Sequence, residues 1–149
     1  MICVHGTTVA FAEGDQWFAA LLRGAPGAGK SDLALRVIEQ GGRLVADDQT
    51  VLEVFDGGLR TSAPPALAGQ IEVRGLGIVT YPCISDVPLV LVCDLSAPDD
   101  VPRMPEPETV ILAEMELPRL RVAPFEATAP IKLRLGVEAV RHGIVGHHP

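Results

Sequence analysis

The chain has 149 residues, 48% of them hydrophobic and 21% charged. This is the length of one domain with enough apolar surface to offset chain entropy, which excludes a disordered chain and a pair of full domains. A net charge of −7 and 4% aromatic residues argue against a nucleic-acid backbone or a base-stacking strand as partner.

Met1 to His5 carries no basic segment followed by a long apolar one, so no leader is expected. Residues 2–11 read as a strand with a turn near His5-Gly6. The turn Glu13-Gly14-Asp15 then leads into a buried strand, Trp17 to Leu22, and the two form a hairpin. Ser31 to Gln40 reads as a helix, because Leu33 with Val37 and Ala34 with Ile38 share one face; Gly41-Gly42 ends it. Arg43 to Ala46 is a short strand ending in Asp47-Asp48. Val51 to Phe55 and Leu59 to Ser62 flank the hairpin turn Asp56-Gly57-Gly58.

Further on, Ala63-Pro64-Pro65 is a loop and Leu67 to Gln70 a short helical turn. Arg74-Gly75-Leu76-Gly77 is a glycine-rich stretch leading into Ile78-Val79. Leu89 to Leu95 is a central strand, 97–108 an exposed proline- and acid-rich loop, and Thr109 to Ala113 and Arg119 to Val122 two more strands. Pro130 suits the first position of a terminal helix continued by Ile131, Leu135 and Ala139. The tail 146–149 is expected to fray. His142, His147 and His148 read as tail residues rather than metal ligands. Cys3, Cys83 and Cys93 have an odd count and no metal spacing, so they read as small buried apolar groups in a reducing, cytoplasmic setting. No apolar run approaches the roughly 20 residues of a membrane-spanning helix. The order of elements predicts a single α/β domain, 1–149, with a mixed β-sheet and flanking helices.

The strongest motif is Gly24-Ala25-Pro26-Gly27-Ala28-Gly29-Lys30-Ser31, which fits G-x-x-x-x-G-K-[ST] at every fixed position between a strand and a helix. Glycines let successive amides turn inward around phosphate oxygens, and the helix N-terminus adds about half an elementary charge. Lys30 reaches the terminal phosphates, and the Ser31 hydroxyl is a hard ligand for Mg²⁺. Phosphoryl transfer also needs a carboxylate. Two strand ends offer one: Asp94 after Leu89 to Cys93, and Asp47-Asp48 after Arg43 to Ala46. Side-chain alternation along a strand gives Asp47 and Asp48 different tasks. The residues alone leave the choice between Asp94 and the Asp47-Asp48 pair open.

Four ordered segments together resemble the catalytic domain of HPr kinase/phosphorylase, in a short form lacking the separate N-terminal domain. They are His5-Gly6, the phosphate loop, Arg43 to Asp48, and Glu72-Val73-Arg74-Gly75-Leu76-Gly77-Ile78; the likeness continues into the terminal helix. The resemblance implies a P-loop sheet similar to the nucleotide core of phosphoenolpyruvate carboxykinase. It also implies ATP and Mg²⁺ as cofactors, a serine of the phosphocarrier protein HPr as substrate, and a homo-oligomer, usually a hexamer. By the same resemblance, Asp47 is the general base, His5 assists in the phosphate site, and Arg74 supports the transferring phosphate or its loop. The resemblance also implies that Ser31, Asp48 and Glu72 would surround the metal. A basic loop that the family ties to phosphorolysis is replaced here by Pro124-Phe125-Glu126-Ala127-Thr128, so a kinase with weak or no reverse activity is expected. The alternatives are a small-molecule kinase on the same loop and a non-catalytic ATP-binding sensor.

Overall fold

The computed structural model describes residues 1–142. The strands are β1 (Ile2–His5), β2 (Thr7–Glu13), β3 (Gln16–Arg23), β4 (Arg43–Ala46), β5 (Gln49–Phe55), β6 (Gly58–Ser62), β7 (Gln70–Val73), β8 (Gly77–Thr80), β9 (Val87–Leu95), β10 (Glu108–Leu112) and β11 (Met115–Val122). The helices are α1 (Lys30–Glu39) and α2 (Ala129–His142). Nine strands form one mixed sheet and β7 pairs with β8 alone. The mixed α/β architecture expected from the order of elements is therefore what forms. The expected fraying tail, with His147 and His148, lies outside the described residues.

Alternation along the strands sorts their side chains onto two faces. On one face Val9, Phe18, Ala20, Leu22, Leu91 and Cys93 meet Leu33, Ala34 and Val37 of α1 and Leu133 and Val137 of α2. On the other, Ala10, Leu21, Val45 and Val92 meet Leu52, Leu59 and Leu117, contributed by the sheet's own curl. Against β9 the register of β3 shifts between Ala19 and Ala20, which pair with Leu89 and Leu91. That bulge moves Leu91 and Cys93 to the helix-covered face while Leu89 stays on the other. α2 lies close on this face because Gly136 has no side chain; a Cβ there would come within 2.4 Å of Leu120 Cδ1.

Two elements differ from the sequence reading. The stretch after Pro65 forms only a single 3-10 turn, Pro65–Leu67, and Gln70–Val73 is a strand that pairs with Gly77–Thr80 across Arg74-Gly75-Leu76. The glycine-rich stretch is thus a hairpin tip. The turn near His5-Gly6 separates two strands with different partners, since β1 pairs with β5 while β2 pairs with β3 and β4.

The curl brings β2 against β5, where Thr8 and Thr50 hydroxyls share a 2.8 Å hydrogen bond, and Thr50 also donates to the Gly6 carbonyl at 3.1 Å. The Gly6 amide donates to the Asp48 carbonyl at 2.9 Å. Gly6 crosses so tightly over β3 that a Cβ would stand 2.6 Å from Leu21 Cδ1 and 2.9 Å from the Leu22 carbonyl oxygen. Backbone cannot give way as a side chain does, so Gly6→Ala is expected to cost about 2–4 kcal/mol from overpacking and local strain. The measurement is urea unfolding: the midpoint should fall with the slope unchanged. An unmoved midpoint would show that this crossing is not tight.

Candidate functional site

Four strands run in the same direction across this part of the sheet. β3 is parallel to β9, and β9 to β11. β4 is antiparallel to β2, itself antiparallel to β3, so β4 runs with β3. Their carboxyl ends therefore open on one edge, which is where ligands bind in open α/β sheets. Asp47-Asp48 follows β4, the loop Gly24–Ser31 follows β3, Asp94 closes β9, and Pro124-Phe125-Glu126 follows β11.

The phosphate loop turns into α1 at Gly29, whose φ of +104° is in the left-handed region and whose carbonyl accepts the Leu33 amide at 2.9 Å. Gly27 also has a positive φ, +81°. Side chains are disfavoured at both, and the backbone surface they leave is the kind of cradle that takes phosphate oxygens. Lys30 begins the helix. Its ammonium donates to the Gly24 carbonyl at 2.7 Å and the Ala25 carbonyl at 3.0 Å, so it spans the mouth of the loop.

Asp47 is only 9% exposed. Its Oδ1 accepts the Ser31 hydroxyl at 2.7 Å and the Thr7 hydroxyl at 3.0 Å; its Oδ2 accepts the Glu72 amide at 3.0 Å. One carboxylate thus ties the phosphate loop to β2 and to the β7–β8 hairpin. Asp48 is the opposite case. It is exposed, with φ +67°, and its backbone is held at both ends by Thr7 Oγ1 and the Gly6 amide. Aspartate tolerates this region better than most residues, and such conformations gather at functional sites.

His5 pairs with Gln49 across β1 and β5, so it stands exposed beside the Asp47-Asp48 corner. Glu72 reaches the corner through its backbone, and its side chain is exposed. Arg74 is exposed at the hairpin tip. The fold therefore gathers the phosphate loop, Asp47, Asp48, His5 and the Glu72 backbone, with Arg74 farther out on the same hairpin. Among the described residues, no three His, Cys, Asp or Glu side chains are grouped to hold a metal by themselves. Mg²⁺ commonly takes one or two carboxylates and completes its shell with phosphates and water, and Ser31 with the adjoining aspartates offers oxygens of that kind.

Asp94 serves differently. Arg23 grips it with two parallel bonds, 2.8 and 2.9 Å, and Arg119 donates to it as well. Arg119 also bonds Glu108 at 3.0 Å, as does Arg121 at 3.2 Å. Burial would raise the Asp94 carboxyl, but the guanidiniums of Arg23 and Arg119 outweigh it and hold the group below the usual carboxylate range. Its charge is cancelled, so of the two strand ends that the sequence offered, this one is structural. Next to it, burial pushes the Cys93 thiol up to about 12, which makes it inert.

The sequence model described as the HPr serine kinase C-terminal domain matches residues 2–84. The chain belongs to this family. That span holds the phosphate loop, Asp47-Asp48, His5 and the β7–β8 hairpin. HPr kinase/phosphorylase from Clostridium novyi is 44% identical over 71 residues, 48% of this chain and 23% of that protein. The one from Clostridium beijerinckii is 46% identical over 59 residues, 40% and 20% of the two chains. The chain thus matches about a quarter or less of the length of these relatives. The solved Hpr(Ser) kinase/phosphatase from Coxiella burnetii superimposes with a TM-score of 0.80 at 22% identity, covering 95% of this chain and 91% of that one. This likeness shows the fold, including the strands and terminal helix beyond residue 84.

Because the folded-state Asp94 carboxyl is depressed, its contribution to stability is present above the unfolded value near 3.9 and is lost as pH falls through the lower folded value. Asp94→Asn leaves Arg23 half-buried without its carboxylate and Arg119 with Glu108 alone, and should cost about 2–4 kcal/mol at neutral pH. The loss should shrink as pH falls through the depressed folded value. Thermal or urea unfolding across pH reads both, and a loss that stays constant from neutral pH to the acid limit of folding would refute the ionic origin.

Proposed function

We propose that this family member is an ATP-dependent protein serine kinase acting on HPr, the phosphocarrier its relatives are named for. The observation that carries the reading is the Ser31–Asp47 hydrogen bond, which couples a phosphate loop to a corner presenting a second, exposed carboxylate. The same reading takes Mg²⁺ as the metal, the cytoplasm as the setting, residues 1–149 as one domain and a homo-oligomer as the working state.

The geometry supports a division of labour opposite to the one implied by the resemblance. Asp47 already accepts three hydrogen bonds and has little freedom to take a proton from a substrate. It suits the task of fixing Ser31 and presenting negative charge to the cation. Asp48 is exposed, on the outer side of the corner and next to His5, where an incoming hydroxyl can reach it. We therefore assign Asp48 to orient and accept the proton of the serine hydroxyl, and Asp47 to the metal side with Ser31. Glu72 supports that side, His5 the transferring phosphate, and Arg74 the approach of the protein substrate.

Mg²⁺, when bound, neutralises charge on the phosphates. Lys30 and the loop amides hold the terminal phosphates as bonds break. The transition state of phosphoryl transfer is loose, so positioning and charge stabilisation carry most of the acceleration, and little proton removal is asked of the base as bonds break. With no Lys or Arg in 124–128, the forward direction is expected to dominate.

The protein is to be incubated with ATP, Mg²⁺ and HPr, and intact masses read for one added phosphoryl group on HPr. Lys30→Ala should lose transfer by more than the ~10²–10³ of a single electrostatic donor, because binding suffers too. Asp48→Asn should lower kcat by about 10²-fold or more with ATP affinity nearly kept. Asp47→Asn should also weaken Mg·ATP binding and stability, since Ser31, Thr7 and the Glu72 amide lose their acceptor. Normal turnover in Asp48→Asn, with Asp47→Asn inactive yet fully stable and ATP-binding, would restore the base to Asp47. Transfer to small acceptors but not to HPr would favour a small-molecule kinase, and ATP binding without any transfer a sensor.

A further inference from the structure

We propose that Phe125 is a nucleobase platform, stacking the purine of a nucleoside triphosphate whose phosphates lie in the Gly24–Ser31 loop. The proposal rests on the nucleotide-binding reading above and adds to it the seat of the base. No motif marks this residue; its placement does.

Across the binding edge the strand order is β4, β2, β3, β9, β11. The Asp47-Asp48 corner therefore lies on one side of the phosphate loop and Pro124-Phe125-Glu126 on the other. A triphosphate whose transferring end faces the aspartates extends its sugar and base away from them, toward the end of β11. The Phe125 ring meets the loop at its last glycine: a Cβ on Gly29 would come within 2.9 Å of Phe125 Cζ and 3.1 Å of Cε1. The ring thus lies within van der Waals reach of the cradle, on the side opposite the carboxylates.

The ring is also exposed and held. Phe125 is 68% exposed, although a phenyl group gains by leaving water. Its backbone is clamped from α1, where the Arg36 guanidinium donates to the Pro124 carbonyl and, at 3.2 Å, to the Glu126 carbonyl. Arg36 is itself oriented by Asp32 at 3.4 Å. α1 begins in the phosphate loop, so one helix positions both the cradle and the ring. An apolar aromatic face fixed in advance beside a phosphate site is suited to a flat π-surface, since little ordering cost is left to binding. Stacking tolerates every base, so modest discrimination between ATP and GTP follows.

Calorimetric titration with ATP and with tripolyphosphate, both with Mg²⁺, separates the base from the phosphates. Phe125→Ala should weaken ATP about 10-fold, as expected for one lost base–aromatic stack, and leave tripolyphosphate within about twofold. Phe125→Trp should keep ATP affinity, and the emission of the new indole should be quenched by ATP but not by tripolyphosphate. Unchanged ATP affinity in Phe125→Ala, or equal weakening of both ligands, overturns the platform while leaving the nucleotide site standing. If the unaltered protein binds neither ligand, the nucleotide reading itself falls and the platform with it.

Discussion

The site depends on how one buried carboxylate is satisfied. An ionised group out of water is costly unless its lone pairs are filled. Asp47 fills them with Ser31, Thr7 and the Glu72 amide, taken from three separate parts of the chain. Each donor is neutral. The carboxylate is thus solvated by the protein without losing its net charge, and that charge is what a divalent cation on Ser31 would meet. The same three bonds locate the phosphate loop, β2 and the β7–β8 hairpin relative to one another, so assembling the site and satisfying the carboxylate are one event.

Asp94 shows what a different set of donors does. It too ends a strand running parallel to β3, next to the strand that feeds the phosphate loop. Its partners are guanidiniums, Arg23 and Arg119. They stabilise the carboxylate more strongly than neutral donors would, and in doing so cancel its charge. The result is a clamp joining β3, β9 and β11 just below the binding edge. Two carboxylates in similar topological positions therefore differ in what is left to offer, a charge facing the candidate site at Asp47 and a cancelled one at Asp94, and the charge state of their partners separates them.

What the sequence discloses follows the same line between local and distant. The phosphate loop and the helix after it were readable because glycine spacing and the Leu33–Val37 face are local properties. So were the turns at Gly14 and Gly57. The partners of Asp94 were not, since Arg23 and Arg119 stand 71 and 25 residues away. Alternation along a strand correctly separated Asp47 from Asp48 but does not say which faces inward: β4 ends at Ala46, and the positive φ of Asp48 makes a corner there. The β7–β8 hairpin was missed because its strands are four residues each and the tip, Arg74-Gly75-Leu76, lacks the usual two-residue turn signal. Phe125 carried no signal at all, because its meaning comes from Gly29, 96 positions earlier in the chain.

The arginines complete the argument about direction. A chain with net charge −7 can hold a polyphosphate through backbone amides and one lysine, which need no basic surface. Attack by free inorganic phosphate is a different demand, because a small dianion must be seated separately, in line with the phosphorylated serine. Around this edge Arg23 and Arg119 are bonded to Asp94, Arg121 to Glu108, and Arg36 to Asp32 and the carbonyls of Pro124 and Glu126. Each positions structure. Lys30 spans the phosphate loop and Arg74 projects from the hairpin tip. Here the four arginines bonded to carboxylates, Arg23, Arg36, Arg119 and Arg121, are poor recruits for a second anion, since each one withdrawn exposes an acid it was neutralising. Under the proposed kinase reading, this commitment of the arginines is the physical reason to expect transfer out of a nucleotide to outrun recovery of the phosphoryl group by phosphate.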